Sequence, residues 1–208
     1  MIKLIPFDNN DINQILDTLE LNLSKLDKFE NTYYFDSYFE FLKYFDELEK
    51  IDYHSLVISS HFTYGWMPTI ITLDPKYMNE SILILNKVKN SNEMNNDEYL
   101  ILVKCINNSI VGVSKLLHFI KPKQYPIFDS RIKKYFKNHS LLHSVYKQTS
   151  TKKQEIQQYQ IFRGICFEII CHDRFNKIYY ESILKLGINK DLTKMRVLEN
   201  LFFYFGKQ

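Results

Sequence analysis

Apolar residues recur at three- and four-residue intervals along most of this 208-residue chain, and very little interrupts them. That spacing lines one face of an α-helix, whereas a half-buried strand needs strict alternation. Ile12, Ile15, Leu16, Leu19, Leu23 and Leu26 form one stripe, with Asn10 or Asp11 placed to cap its helix. Phe39, Leu42, Phe45 and Leu48 form a second behind Asp36. Further helices are predicted over Ser81–Val88, Glu98–Ile106, Thr151 to about Arg174, Ile178–Leu186 and Leu192–Phe205. Residues 51–64 read equally as helix or short strand, and FTYGWMPT reads as a structured loop because Gly65 and Pro68 break it. Five Gly and five Pro against sixteen Phe and fifteen Tyr are too few turn formers for a many-turned β-sandwich and too much bulk for disorder. The expected fold class is all-α, one helical domain over residues 1–208 with room for two lobes around a cleft.

Three cysteines, Cys105, Cys166 and Cys171, sit inside apolar helical patterns, and their odd number does not suit a secreted disulfide framework. The N-terminal MIKLIPFDNND turns acidic before an apolar signal core forms, and no apolar run reaches the ~18 residues of a spanning helix. A cytoplasmic protein without membrane contact is expected. Cys166, Cys171 and His172 cluster with no distant partner pair, so no metal site is expected either.

The net charge of +3 conceals a division. Residues 1–60 hold twelve carboxylates and five lysines, a balance of −7, whereas Lys115–Lys137 holds six Lys, one Arg and one acid, a balance of +6. Clustered cations are the footprint a polyanion rewards, through counterion release, although a solvated helix face has the same composition.

The basic stretch lies within residues 107–137, where the chain breaks and restarts twice. Asn107, Asn108 and Ser109 favour a turn, Gly112 frees the backbone, and Ser114 is placed to cap a helix through Lys115, Leu116, Leu117, His118 and Phe119. Pro122 stops that helix, Pro126 sets another turn, and Asp129 or Ser130 caps a helix bearing Ile132, Tyr135 and Phe136. A turn at Gly112–Ser114 offers free N–H groups and helix dipole to a backbone phosphate. A carboxylate near a bound sugar stabilises the positive charge that develops as a glycosidic bond breaks, and an amine of lowered pKa attacks the anomeric carbon instead.

The runs VGVSKLLHF and YPIFDSRI resemble the helix-hairpin-helix DNA glycosylase superfamily, in which a glycine hairpin precedes a helix and a proline-bounded loop ends in the catalytic aspartate. The resemblance covers about the central quarter of the chain. It implies that Asp129 is the catalytic carboxylate, that Lys115 stands where the lysine-bearing branch keeps its Schiff-base nucleophile, and that the partner is double-stranded DNA. Gly112, Ser114, Arg131, Lys133 and Lys134 are then the DNA-binding residues. Such an enzyme rotates its target base out of the duplex, and Tyr64, Trp66 and Met67 are candidates to hold it. No cofactor is expected, since no four-cysteine cluster pattern follows. Cleavage of a damaged base in repair, or of a hypermodified base in phage DNA, is the expected activity.

Each of these residues also has a structural role open to it. Asp129 suits a helix N-cap, Lys115 a chain that snorkels to water, and Trp66 and Tyr64 the core. His61 and His118 suit either proton relay or buried hydrogen bonds. The alternative function is therefore a non-catalytic helical module that binds DNA or a protein.

Overall fold

The computed structural model describes residues 7–29, 34–65, 71–91, 93–187 and 191–206, which build eleven α-helices. In chain order these are α1 (Asn9–Ser24), α2 (Tyr34–Glu47), α3 (Tyr53–Gly65), α4 (Met78–Lys89), α5 (Asn96–Cys105), α6 (Ile110–Ile120), α7 (Ser130–Asn138), α8 (His143–Tyr146), α9 (Lys152–Cys171), α10 (Asp173–Leu186) and α11 (Lys194–Phe205). Among the described residues the only strand-like pairing is one bridge, Leu73 with Ile106. The all-α expectation therefore holds.

Local chemistry explains most of the helix ends. Asp8 and Asp11 form a reciprocal capping box on α1, so the cap lies two residues before the nearer one expected. Asn95 and Glu98 do the same for α5, and Thr151 and Thr193 cap α9 and α11 through their hydroxyls. Asp36 falls inside α2 instead of ahead of it. The ambiguous stretch 51–64 is helical: α3 runs to Gly65, and the Phe62–Gly65 part expected as loop is its last turn. The long helix predicted to Arg174 ends at Cys171, because His172 leaves helical geometry (φ −75°, ψ 134°) and its side chain caps α10.

Helix α6 is the centre of the molecule. Nine of its eleven residues are buried, the pattern of a helix covered on every side, and it packs against α2, α3, α4, α5 and α9. Its sequence IVGVSKLLHFI carries a single lysine, Lys115. On one flank α7 packs against α11, where Tyr135 and Phe136 meet Phe202 with ring centroids 5.0 Å apart. A Cβ added to Gly206, just past α11, would stand 2.1 Å from the Arg131 carbonyl oxygen. The end of α11 thus touches the first turn of α7, and only glycine allows that approach. Elsewhere Arg174 ties α10 to α1 through Asp17 and Glu20, at 2.6 and 3.0 Å.

Candidate functional site

The Gly112–Ser114 turn expected from the sequence is not where the chain turns. The helical hairpin of α5 and α6 reverses at Asn107 and Asn108, whose φ values of 54° and 49° are left-handed and suit asparagine. Ser109, not Ser114, caps α6, and its hydroxyl accepts the Gly112 N–H. Gly112 is therefore the third residue of a helix, and its lack of a side chain serves packing: a Cβ there would lie 1.9 Å from the Tyr64 hydroxyl. Ser114 is wholly buried inside the helix, so neither residue presents a phosphate-binding turn.

Tyr64 is 3% exposed and its ring is spent against Gly112, beside Ser109 and Asn107, which leaves no face on which a base could stack. Trp66 and Met67 lie outside the described residues. Of the expected cations, Arg131 and Lys134 are exposed on α7, with Arg131 4.6 Å over the Phe203 ring. Lys133 is half-buried 4.9 Å over Phe128, a partner that draws it away from solvent.

Lys115 and Asp129 lie within electrostatic reach of one another but more than 4 Å apart. Asp129 is the N-cap of α7, and its Oδ1 accepts the N–H groups of Arg131 and Ile132 at 3.0 and 3.1 Å. Among the described residues Oδ2 takes no hydrogen bond, so one oxygen holds the helix and the other stays available. Lys115 is half-buried and feels Asp129 electrostatically without forming a direct ion pair with it. Burial pushes the amine down to about 8, opposed by the Asp129 charge and reinforced by Arg196. Near neutral pH a larger share of this amine is therefore uncharged than in an exposed lysine.

The loop that delivers Asp129 is fixed by groups that periodicity did not single out. Ser114 Oγ donates to the Val111 carbonyl at 2.8 Å and accepts the Phe128 N–H at 3.1 Å. His118 accepts the Tyr38 hydroxyl at Nε2, 3.0 Å, and donates from Nδ1 to the Tyr125 carbonyl, 2.8 Å. A carbonyl only accepts, so Nδ1 carries the proton and the ring is neutral; burial holds its pKa down at about 3. Its 3.5 Å approach to Glu199 is therefore not an ion pair. Between the two roles open to His118, the buried hydrogen-bonding one is occupied, while His61 bonds within its own helix to the Val57 carbonyl.

Glu199 of α11 is 1% exposed and accepts both the Ile127 N–H and Arg196 Nη1, each at 2.5 Å. Burial pushes its carboxyl up to about 7, against the pull of Arg196. The Arg196 guanidinium in turn lies 4.5 Å over the Tyr38 ring. The signal for this pair was present in the sequence: Arg196 and Glu199 stand three apart inside the apolar run MRVLENLFFYF, where a charged residue buried on a helix needs a partner. Phe128 completes the anchoring by stacking on Phe162, with centroids 4.9 Å apart.

The arrangement is thus a half-buried amine within electrostatic reach of a carboxylate with one unengaged oxygen, on a hydrogen-bonded turn at the N-terminus of a helix bearing exposed cations. Set beside known proteins, the chain matches no family model, no curated protein and no solved structure, so the chemistry of these residues is what the functional reading rests on.

Proposed function

We propose that the protein is a DNA N-glycosylase that acts on an extruded base, with Lys115 as nucleophile and Asp129 as the essential carboxylate. The observation that carries this is a half-buried Lys115, its amine pushed down by burial, within electrostatic reach of Asp129, whose Oδ2 is open. Either group alone has a structural explanation; together, with exposed Arg131 and Lys134 alongside, they fit attack on a sugar carbon beside a phosphate backbone.

In this mechanism the neutral Lys115 amine bonds to the anomeric carbon as the bond to the base breaks, and the base departs with the bonding electrons. Asp129 stabilises the positive charge that builds on the sugar, accepts a proton from the amine and returns it to the ring oxygen as the ring C–O bond opens, which leaves on Lys115 the iminium that borohydride reduces. Phosphate contact falls to the exposed edge of α7 and to the hairpin at Asn107–Ser109, not to Gly112 and Ser114. Damaged bases and hypermodified bases of phage DNA are both candidate substrates.

Incubation with duplexes carrying a panel of lesions and hypermodified pyrimidines is the direct test. Abasic product is expected, with a borohydride-trapped adduct that disappears in Lys115→Ala; no product from any duplex sinks the proposal. The second reading, a DNA-binding module without chemistry, draws on Asp129 being a well-formed N-cap. Asp129→Asn separates the two, because asparagine caps equally well: loss of the biological effect with binding retained favours the enzyme, and an unchanged effect favours the module.

A further inference from the structure

The turn that carries Asp129 is held from outside itself. Of the four residues ahead of Asp129, Tyr125 gives its carbonyl to His118, Ile127 its N–H to Glu199, and Phe128 its N–H to Ser114. The fourth is Pro126, which has no N–H to give. Two of the three holding side chains, Ser114 and His118, sit on α6, the helix that bears Lys115, so they fix the turn relative to the amine. Glu199 reaches in from α11 and completes the hold.

We propose that Glu199 is a positioning residue of the Lys115–Asp129 site: its ionised carboxylate, steered by Arg196, secures the Ile127 N–H and so sets where Asp129 stands, and protonation of that carboxylate loosens the turn. The inference rests on the reading of Lys115 and Asp129 as a working pair.

Each Glu199 oxygen is committed to a donor, Oε1 to the Arg196 guanidinium and Oε2 to the Ile127 amide. A proton added to either oxygen turns it into a hydroxyl, a weaker acceptor for the donor it holds, in a space closed to water. Glutamine goes further, since its NH₂ accepts nothing and must face one of the two donors. The groups that face Glu199 are Arg196 on its own helix, Lys115 and His118 on α6, Asp129 on the turn, Tyr38 on α2 and Cys166 on α9. His118 is neutral, Arg196 favours the ionised carboxylate, and burial with Asp129 opposes it, which leaves Glu199 titrating at about 7. The turn is therefore secured above that pH and loosened below it.

The test follows two independent probes across pH 5–9 on the full chain. The Ile127 amide is followed by NMR, and the reactivity of the Lys115 amine by acylation and mass mapping. In the unmodified protein the Lys115 profile is expected to rise through its own titration near pH 8 and to carry a second inflection near pH 7 that the Ile127 profile shares. Glu199→Gln should erase the inflection near pH 7 from the Lys115 profile, leave the rise near pH 8, and raise hydrogen exchange at Ile127 by about tenfold or more, while α1 and α10 stay protected. Superimposable Lys115 profiles for the two proteins, or unchanged protection at Ile127, overturn the proposal. Should Glu199→Gln fail to fold, the unmodified protein decides: an Ile127 shift that is flat across the range overturns it, and an inflection shared with Lys115 supports it. Neither probe needs a DNA substrate, so a failed glycosylase assay leaves this result standing, and the reverse also holds.

Discussion

At the residue scale, the candidate site turns on how single side chains divide their bonds. Asp129 spends one oxygen on the first turn of α7, so Asp129→Ala should cost about 1 kcal/mol in a denaturant melt, whereas Asp129→Asn should melt within a few tenths of the unmodified protein and still lose base release. Gly112 is a different kind of constraint. Its φ is not left-handed, and the demand for glycine comes from the Tyr64 hydroxyl and ring at 1.9–2.7 Å from a would-be Cβ. Gly112→Ala is expected to lose about 1–3 kcal/mol by overpacking, and pairing it with Tyr64→Leu should recover part of that loss. The sequence showed a glycine and a tyrosine each in a candidate role. That they answer one another across α3 and α6 is a fact of packing, and it removes both from the surface where those roles would be played.

At the element scale, α7 combines an apolar face turned to α11 with exposed Arg131, Lys134 and Lys137. If this edge follows a DNA backbone, replacing those three with Ala should weaken binding of any duplex. The dependence of log K on log salt should also flatten, by about 0.9 for each phosphate no longer neutralised, as read by fluorescence anisotropy at several salt concentrations. Helix α7 was legible because a proline turn, an aspartate cap and an apolar stripe follow in order. Helix α6 was half legible: its end was set by Pro122 and Lys121, but its start was misplaced because Ser109 and Ser114 are equally good caps in isolation. What separates them is that Asn107 and Asn108 take the left-handed turn, and that burial of the Ser114 hydroxyl is compensated by the Phe128 amide of a loop fourteen residues on.

At the scale of the whole molecule, half-buried Lys115 and buried Glu199 are among the groups that tie stability to pH. The folded-state pKa of Lys115 is depressed to about 8, so the unfolded chain binds the extra proton and folding gains stability as pH rises from about 8 toward 10.5. Lys115→Met should therefore stabilise the protein at pH 7.5, with an advantage that shrinks by pH 10, as measured by chemical denaturation at both. Glu199 acts in the opposite sense: burial raises its folded pKa from 4.5 to about 7, so overall stability is fullest at low pH and falls as pH rises through about 7, even though the hydrogen bond that holds the turn at Ile127 favours the ionised form. Charge of this kind inside a core lowers stability, and its retention here is what the positioning role of Glu199 accounts for. Tyr159 makes a further whole-molecule test, since its buried hydroxyl has no hydrogen bond among the described residues and Tyr159→Phe should melt at the same temperature or higher.

By itself the sequence determined that this chain is helical, where most helices run, and which segment brings a carboxylate to the head of a basic helix, because spacing, caps and prolines act over a few residues. Only the tertiary structure decided that Lys115 is half-buried, that Tyr64 fills the space above Gly112, and that Glu199, seventy-two residues from Ile127, accepts the Ile127 N–H of the turn. Desolvation and long-range hydrogen bonds depend on what lies beside a residue in space, and no local pattern records that.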